Sequence, residues 1–299
     1  MVKKSSFIIV LVFNFVFCNF QFPTIWGQCI LKNDEKSIKN NELQDIIINK
    51  IEKLDVLYGP IKKKQFSIII YPLKNQDIQI NSPHWNWSLG ITYYNDKIVI
   101  KDISHAHINK SKLIQVLDHE LNHLMVNRIT AAKNVPRWFK EGFAMYVANE
   151  QSMKHKFLVS QAILKDNLFS LKDLNQFKNL NKNEFNLAYA QSVVYIENLV
   201  HIYGTKILKR VIEELKNQID FNKAIYNVTS NDIYQIETKI IQNIKNKYFL
   251  LRFVNFPDIL FSIMPLLLII GFIIKSNKVK KIKKQWAVEE ELEDLMDND

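Results

Sequence analysis

Two residue types that build many functional sites are scarce in this chain of 299 residues. Cysteine occurs only at Cys18 and Cys29, so the chain has no disulfide framework. Six glycines are present, and none forms part of a glycine-rich phosphate loop. The chain also lacks a Gly-x-Ser-x-Gly motif, which would mark a serine nucleophile. These absences argue against a disulfide scaffold, a nucleotide-binding enzyme and catalysis through a covalent serine intermediate.

The net charge of +10 does not by itself indicate a nucleic-acid partner. Proteins that bind nucleic acid present a compact basic patch or stripe. Here no basic stripe is interleaved with aromatic residues, and the densest lysine run, at 275–284, directly follows a long apolar segment. We therefore predict no nucleic-acid partner.

The most informative motif is His-Glu-Leu-Asn-His at residues 119–123. Leucines at helical spacing on both sides of it predict an amphipathic helix over about 110–128. Positions i and i+4 share one face of a helix, so His119 and His123 can offer two imidazoles to a single metal ion. Glu120 lies beside them, where it can accept a proton from a bound water.

A third metal ligand is expected in the next helical segment. Catalytic zinc takes three protein ligands and keeps one position open, and Glu141 follows His123 with seventeen residues between them. Gly142 and Ala144 are small and would let this second helix approach the first. The alternative is that the histidines are ordinary surface or core residues and that Glu141 is an exposed carboxylate. The two motifs together favour the metal site.

The pairing of His-Glu-x-x-His with a downstream Trp-x-x-Glu-Gly-x-Ala resembles the gluzincin metallopeptidases, in particular the peptidase MA-like domain family. Further similarity lies at 188–192 and 195–204, and the whole resemblance spans about 45–245. It implies hydrolysis of peptide bonds in a peptide or protein substrate by a water that a metal activates, without a covalent intermediate.

The resemblance also implies a role for each residue of the site. The zinc ligands would be His119, His123 and Glu141, and Glu120 would be the general base. Tyr189 would donate a hydrogen bond to the oxyanion, with Tyr195 and Tyr146 as alternatives for that role. The implied cofactor is Zn²⁺.

One position departs from the family pattern. Gluzincins commonly carry an acidic residue four positions after the ligand glutamate, where it orients the first histidine, but here that position is Met145. Loss of such a carboxylate typically costs about 10–100-fold in metal affinity or activity. Asp118 or a backbone carbonyl could replace it. The alternative hypothesis is therefore a catalytically weak or inactive peptidase fold that serves as an extracytoplasmic binding or scaffold module.

Both ends of the chain predict a membrane protein. Residues 1–28 have the basic start and short apolar run of a signal peptide or N-terminal anchor. Residues 256–275 approach the ~20 apolar residues of a transmembrane helix, and the lysines after them predict a cytoplasmic carboxyl end. The peptidase MA-like domain at 29–250 would then be extracytoplasmic, either periplasmic or at the cell surface. The Lys-rich and then acidic tail at 276–299 would be cytoplasmic.

The pattern of elements predicts an α+β fold, in which a small mixed or antiparallel sheet packs beside a helical zincin-like metallopeptidase domain, followed by a C-terminal transmembrane helix. Strands are expected at 66–71 and within 88–101, and a strand near 87–93 would pair with an extended peptide substrate. Helices are expected at 37–57, 110–128, 137–150, 154–165, 186–203, 206–217 and 230–248.

Overall fold

The computed structural model describes residues 20–33, 38–71, 88–94, 96–101, 109–131, 135–175, 177, 180–248 and 256–296. The chain divides into two units, Met1–Lys247 and Tyr248–Asp299. The described residues of the first unit form a sheet and a set of helices, which is the predicted α+β layout.

The sheet is mixed and has five strands, in the order β1-β2-β3-β5-β4. Strand β3 runs parallel to β2 and to β5, while the outer pairs β1/β2 and β5/β4 are antiparallel. Strands β3 and β5 contain short apolar runs, 68–70 and 98–100, that are buried on both faces, as in parallel sheets generally. Strand β2 alternates instead, with Cys29 and Leu31 buried and Gln28 and Lys32 exposed. Strand β4 is an edge strand among the described residues. The strands are β1 (Phe20–Thr24), β2 (Gly27–Asn33), β3 (Phe66–Tyr71), β4 (Gly90–Tyr93) and β5 (Lys97–Lys101).

Strand β1 and the start of β2 lie within residues 1–28, which the sequence predicts as a signal or anchor. Trp26, between these two strands, is fully buried, and its indole Nε1 donates to Asp55 Oδ1 at 3.1 Å. Phe22 and Cys29 are buried as well. The described sheet therefore includes residues from Phe20 onward, and the boundary at residue 28 stays a prediction. The apolar run of the predicted signal, 7–17, lies outside the described residues.

Eight helices follow in the first unit among the described residues. Seven of them lie within a few residues of the predicted ranges, and α7 was missed because it is short. Asn109 caps α2 by accepting from the Lys112 amide at 2.8 Å, and Gly204 ends α5 with a φ of +86°. The helices are α1 (Asn40–Tyr58), α2 (Lys110–Thr130), α3 (Arg137–Val147), α4 (Met153–Leu164), α5 (Lys182–Tyr203), α6 (Ile207–Lys216), α7 (Phe221–Thr229) and α8 (Ile233–Lys247).

The core between α3, α5 and α7 is aromatic. The ring of Trp138 meets the ring of Tyr195 edge to face at 6.4 Å and that of Phe221 at 6.0 Å. Phe139 packs against Phe221 at 5.0 Å and against Phe143 at 5.7 Å. Edge-to-face pairs of this kind contribute about 0.5–1.5 kcal/mol each beyond the area they bury. This packing holds α3 firmly on α5.

The last turn of α2 is joined to the sheet by Arg128. Its Nε donates to Asp96 Oδ1 at 2.7 Å, and its terminal nitrogens donate to the carbonyl oxygens of Trp26 and Lys64 at 2.9 and 2.8 Å. Lys64 Nζ also pairs with Asp96, at 2.5 Å. Arg128 therefore connects α2 to three loops at one end of the sheet.

The second unit contains one helix among the described residues, α9 (Phe256–Met296), with Pro265 inside it. Within the described part of the chain, no helix combines the length and the apolar character needed to cross a membrane. This finding goes against the transmembrane helix predicted over 256–275. The same helix then continues through the lysine-rich run and into the acidic one.

The charge network at Asp96 makes the stability of the first unit depend on pH. Burial acts to raise the pKa of Asp96, but hydrogen bonds from Lys64 and Arg128 outweigh it and hold the pKa below its ordinary value. A carboxylate with a lowered folded-state pKa contributes its full stability above the unfolded-state value of ~3.9. That contribution is lost as the pH falls through the folded-state value.

We expect Asp96→Asn to lower the free energy of unfolding by about 2 kcal/mol at pH 7, because it replaces charge-assisted hydrogen bonds with neutral ones. The difference from wild type should shrink between about pH 4 and pH 3, as the wild-type carboxylate takes up its proton. Urea unfolding of both proteins at pH 7 and at pH 3 measures this difference. Glu42→Gln, at an exposed contact with Lys110, is the control and should change stability little at either pH. A difference that is constant with pH would contradict the assigned role of Asp96.

Candidate metal centre

The two predicted histidine ligands lie in the middle of α2, on the face turned toward α3. Their side chains are 12% and 15% exposed for His119 and His123. Their Nε2 atoms are 3.1 Å apart, and their rings meet edge to face with centroids 4.8 Å apart. Two adjacent helical turns therefore present two nitrogen donors to one point.

Helix α3 brings Glu141 to the same point. Its Oε2 lies 3.6 Å from His119 Nε2 and 3.4 Å from His123 Nε2. The neighbouring residue, Gly142, lies against α5 so closely that a Cβ atom there would come within 2.6 Å of the carbonyl carbon of Ser192. The sequence reading of Gly142 as a point of close approach is confirmed, but the helix it approaches is α5 rather than α2.

The separations between the three donor atoms fit one small cation. Donors that bind zinc tetrahedrally at 2.0–2.1 Å lie roughly 3.3 Å from one another. The observed separations of 3.1, 3.4 and 3.6 Å are close to that value. Two imidazoles with one carboxylate are also a donor set that zinc takes in hydrolases. The residues present therefore fit the ion that the sequence implies.

The electrostatics of the cluster favour a positive charge at its centre. Burial acts to lower the pKa of His119, but the carboxylates of Glu141 and Glu150 outweigh it and raise the pKa to about 10. Burial acts to raise the pKa of Glu141, yet His123, His119 and Arg137 hold it well below its ordinary value. The carboxylates would stabilise a proton on His119 or a metal cation bound at the same place.

Glu120 points away from the other carboxylate, toward strand β4. The Thr92 hydroxyl donates to its Oε2 at 2.6 Å. Gly90 leaves room for the other oxygen, because a Cβ there would lie 2.7 Å from Oε1. Burial raises the pKa of Glu120 against the lowering effect of His119 and His123. Two glutamates of one site are thus shifted in opposite directions, as a proton acceptor and a metal ligand would require.

Tyr189 is the predicted tyrosine that reaches the site. It lines the cavity beside the histidines, and its hydroxyl interacts with Arg137 and Glu141. Burial, with Glu141 next, raises its pKa well above the ordinary value, so it stays protonated and can donate. Tyr195 is instead fully buried and accepts from Gln191 Nε2 at 3.0 Å, and Tyr146 lines a separate cavity. Neither of these alternatives faces the metal centre.

Glu150 takes the place that the sequence pattern assigns to Met145. Its Oε1 lies 3.4 Å from His119 Nδ1, an ion-pair contact longer than a normal hydrogen bond. Asp118, one of the two substitutes considered from the sequence beside a backbone carbonyl, pairs instead with Lys50 Nζ at 2.5 Å. A carboxylate therefore lies near Nδ1 of His119, but it comes from beyond the end of α3.

The turn after α3 positions Glu150. Asn149 adopts a left-handed conformation with a φ of +52°, which asparagine tolerates well. The amide of Glu150 then donates back to the Met145 carbonyl at 2.9 Å. Gln115 on α2 also donates to this turn, to the carbonyls of Ala148 and Asn149. The helix end thus folds back toward His119.

A cavity of about 370 Å³ opens beside the centre. One wall is formed by His119, His123 and Glu120 of α2, and another by Ile91 and Thr92 of the edge strand β4. The predicted strand near 87–93 is therefore present at the site. Arg137 also lines the cavity, and its Nε lies 3.4 Å from Glu141 Oε1. Arg137 was not predicted from the sequence. Its position four residues before Glu141 on one helix could have predicted a contact between the two side chains.

We expect Glu150→Gln to weaken zinc binding by about 10–100-fold, because the amide cannot stabilise the protonated Nδ1 of His119 as a carboxylate does. Competition with a chromogenic chelator measures the affinity, and circular dichroism checks that the fold is retained. Glu197→Gln is the matched control, since Glu197 is a partly buried carboxylate paired with Lys156 at 2.7 Å. If Glu150→Gln bound zinc as tightly as Glu197→Gln, Glu150 would have no role in holding His119.

Comparison with known proteins identifies a family. Residues 47–246 match the family model of the peptidase MA superfamily. No curated protein matches the chain in sequence.

Similar solved structures include the aminopeptidase N family protein from Idiomarina loihiensis, at 11% identity and a TM-score of 0.48, covering 74% of this chain and 46% of that one. A mutant M1 zinc metallopeptidase from Deinococcus radiodurans, bound to a Tyr-Ser-Ala substrate, has 11% identity and a TM-score of 0.45, covering 74% and 50%. The chain spans about half the length of each. Because the family model covers about two thirds of the chain, the chain belongs to the peptidase MA superfamily.

Proposed function

We propose that this protein is a zinc-dependent metallopeptidase that hydrolyses peptide bonds, with Glu120 as the general base. The observation that carries the proposal is the convergence of three donor atoms, from His119, His123 and Glu141, at separations of 3.1–3.6 Å beside a cavity. Membership of the peptidase MA superfamily supports the same reaction class.

The three donors, His119, His123 and Glu141, would hold the zinc ion beside the cavity. When bound, zinc lowers the pKa of a water toward ~7 and polarises a carbonyl oxygen. Glu120 takes the proton from the attacking water. Because burial raises its pKa, Glu120 can hold that proton and then deliver it to the leaving amine. The Thr92 hydroxyl keeps the carboxyl group of Glu120 in place through Oε2.

Two further side chains support the reaction. Tyr189 stays protonated, so its hydroxyl can donate to the oxygen on which negative charge develops. Arg137 is held over the ring of Phe177 at 4.6 Å and keeps Glu141 ionised as a ligand. An extended substrate would add to the edge of β4, which pairs with β5 alone among the described strands, so that the substrate backbone passes the cavity in a defined register.

The alternative of an inactive binding or scaffold module rested on Met145. Glu150 brings a carboxylate oxygen to 3.4 Å from His119 Nδ1 from another position, which supports a competent site despite Met145. We therefore favour the catalytic hypothesis.

We expect the full chain to bind one equivalent of zinc, measured by elemental analysis, and to cleave peptides of a denatured-protein library, measured by mass spectrometry. His119→Ala should lose the metal, because two remaining donors bind zinc weakly. Glu120→Gln should retain the metal and lose turnover by at least about 100-fold, because no base remains. Glu52→Gln, on the exposed side of α1, is the control for both measurements. Stoichiometric zinc without turnover of any peptide would favour the binding module.

We further propose that the folded unit works outside the cytoplasm. The basic start and apolar run of residues 1–17 support this location. A fusion of residues 1–40 to alkaline phosphatase, which is active only after export, should give activity in bacterial cells. Deletion of residues 7–17 from the same fusion should abolish it. Equal activity of the two fusions would contradict an export signal.

A further inference from the structure

The charges around the cavity are distributed unevenly. Four of the charged or titratable residues that line it belong to the metal centre itself, namely His119, Glu120, His123 and Glu141. The two other charged residues among the described lining are Arg137 and Lys140, and both are cationic. Apart from the expected metal ligand Glu141 and the expected base Glu120, the described residues that line this cavity therefore offer no carboxylate to a substrate.

The two cations differ in what they already bind. Arg137 is engaged with Glu141 at 3.4 Å and with the ring of Phe177. Lys140 forms no ion pair with a carboxylate of the described residues, and its Nζ lies 5.9 Å from the centroid of the Tyr94 ring. Lys140 is half-buried, which weakens the solvation of its charge. A half-buried ammonium at a cavity wall is well suited to bind an anionic group.

The place of Lys140 relates it to the path of a substrate. Tyr94 follows strand β4 directly and lines the same cavity, so Lys140 lies near the end of the edge strand. A peptide that adds to β4 would pass between this end and the metal centre. Lys140 is also the neighbour of Glu141 in the sequence, which holds it on the helix that carries the third metal ligand.

A neighbouring cavity, which shares His119, Glu120 and Tyr189 with the first, offers no unengaged carboxylate for a free amino terminus among its described residues. This second cavity, of about 220 Å³, is lined by Leu89, Val116 and Phe185. Its one carboxylate among the described residues, apart from Glu120, is Glu150, and that group faces His119. A protonated amine would find no unengaged carboxylate there to bind.

We propose that Lys140 binds a carboxylate of the substrate and makes the site selective for peptides with a negative charge beside the scissile bond. The inference rests on the proposed peptidase function. The carboxylate belongs to an acidic side chain or to the free carboxyl terminus, and both present the same group to the ammonium.

Binding and cleavage should be compared for three peptides of one sequence. The first has glutamate beside the scissile bond and an amidated end, the second has glutamine there and an amidated end, and the third has glutamine with a free carboxyl end. We expect the first or the third to exceed the second by about tenfold in kcat/KM, with the difference mainly in KM. Whichever peptide exceeds the second identifies the carboxylate. Equal values for all three would overturn the proposal.

Variants then assign the preference to Lys140. Lys140→Met should lower the preference ratio to near one, and Lys140→Glu should reverse it toward a peptide with lysine at the same place. Lys209→Met, an exposed lysine of α6, changes the net charge equally and should leave the ratio as in wild type. A ratio that is unchanged in Lys140→Met would overturn the assignment.

Binding separates this proposal from the peptidase function. The same peptides should be titrated by fluorescence anisotropy against the zinc-loaded Glu120→Gln protein and against its double variant with Lys140→Met. A preference for the carboxylate peptide that is lost in the double variant supports the proposal even if wild type cleaves nothing. Turnover without any such preference in binding or cleavage would leave the peptidase function standing and overturn the role of Lys140.

Discussion

The close contact between α3 and α5 at Gly142 is the constraint on which the metal centre depends. Helix α5 lies in the core, and the rings of Tyr195 and Trp138 hold it against α3. A Cβ at Gly142 would overlap the backbone at Ser192, so glycine alone allows this separation of the two helices. Because Glu141 precedes Gly142, its side chain leaves α3 on the side that faces α2. The third ligand is therefore placed by packing that involves neither histidine.

The cluster also concentrates charge where burial makes charge costly, and each carboxylate is stabilised in a different way. Glu141 has the histidines and Arg137, Glu150 has His119, and Glu120 has the Thr92 hydroxyl. Because their partners differ, the pKa of Glu120 is raised and the pKa of Glu141 is lowered. Glu120 therefore holds a proton more readily, whereas Glu141 stays ionised beside a positive charge. Buried groups with such shifts are concentrated at functional sites, because elsewhere they only destabilise the fold.

The parts of the site that could be predicted from the sequence are those with a fixed spacing on one helix. His119, Glu120 and His123 follow from helical geometry alone, and Glu141 follows from a motif with a characteristic glycine. Strands β1 and β2 were missed because an apolar run after a basic start reads as a signal, and strand pairing with β3 depends on contacts distant in sequence. The membrane span was predicted from hydropathy, and no helix among the described residues has the length and apolar character that a span requires.

Glu150 shows why a departure from a sequence pattern is not by itself a loss of function. An acidic residue can orient His119 from any position in the sequence, provided that its carboxylate oxygen lies near Nδ1. The residue four places after Glu141 meets this condition only where α3 directs its side chain toward Nδ1. In this chain the helix ends at Val147, Asn149 turns the backbone through a left-handed conformation, and Glu150 returns to the same point. Met145 can then be buried in the core. Its carbonyl accepts from the Glu150 amide and fixes the turn, and this turn brings in Glu150 in place of the acidic residue that the family carries at the position of Met145.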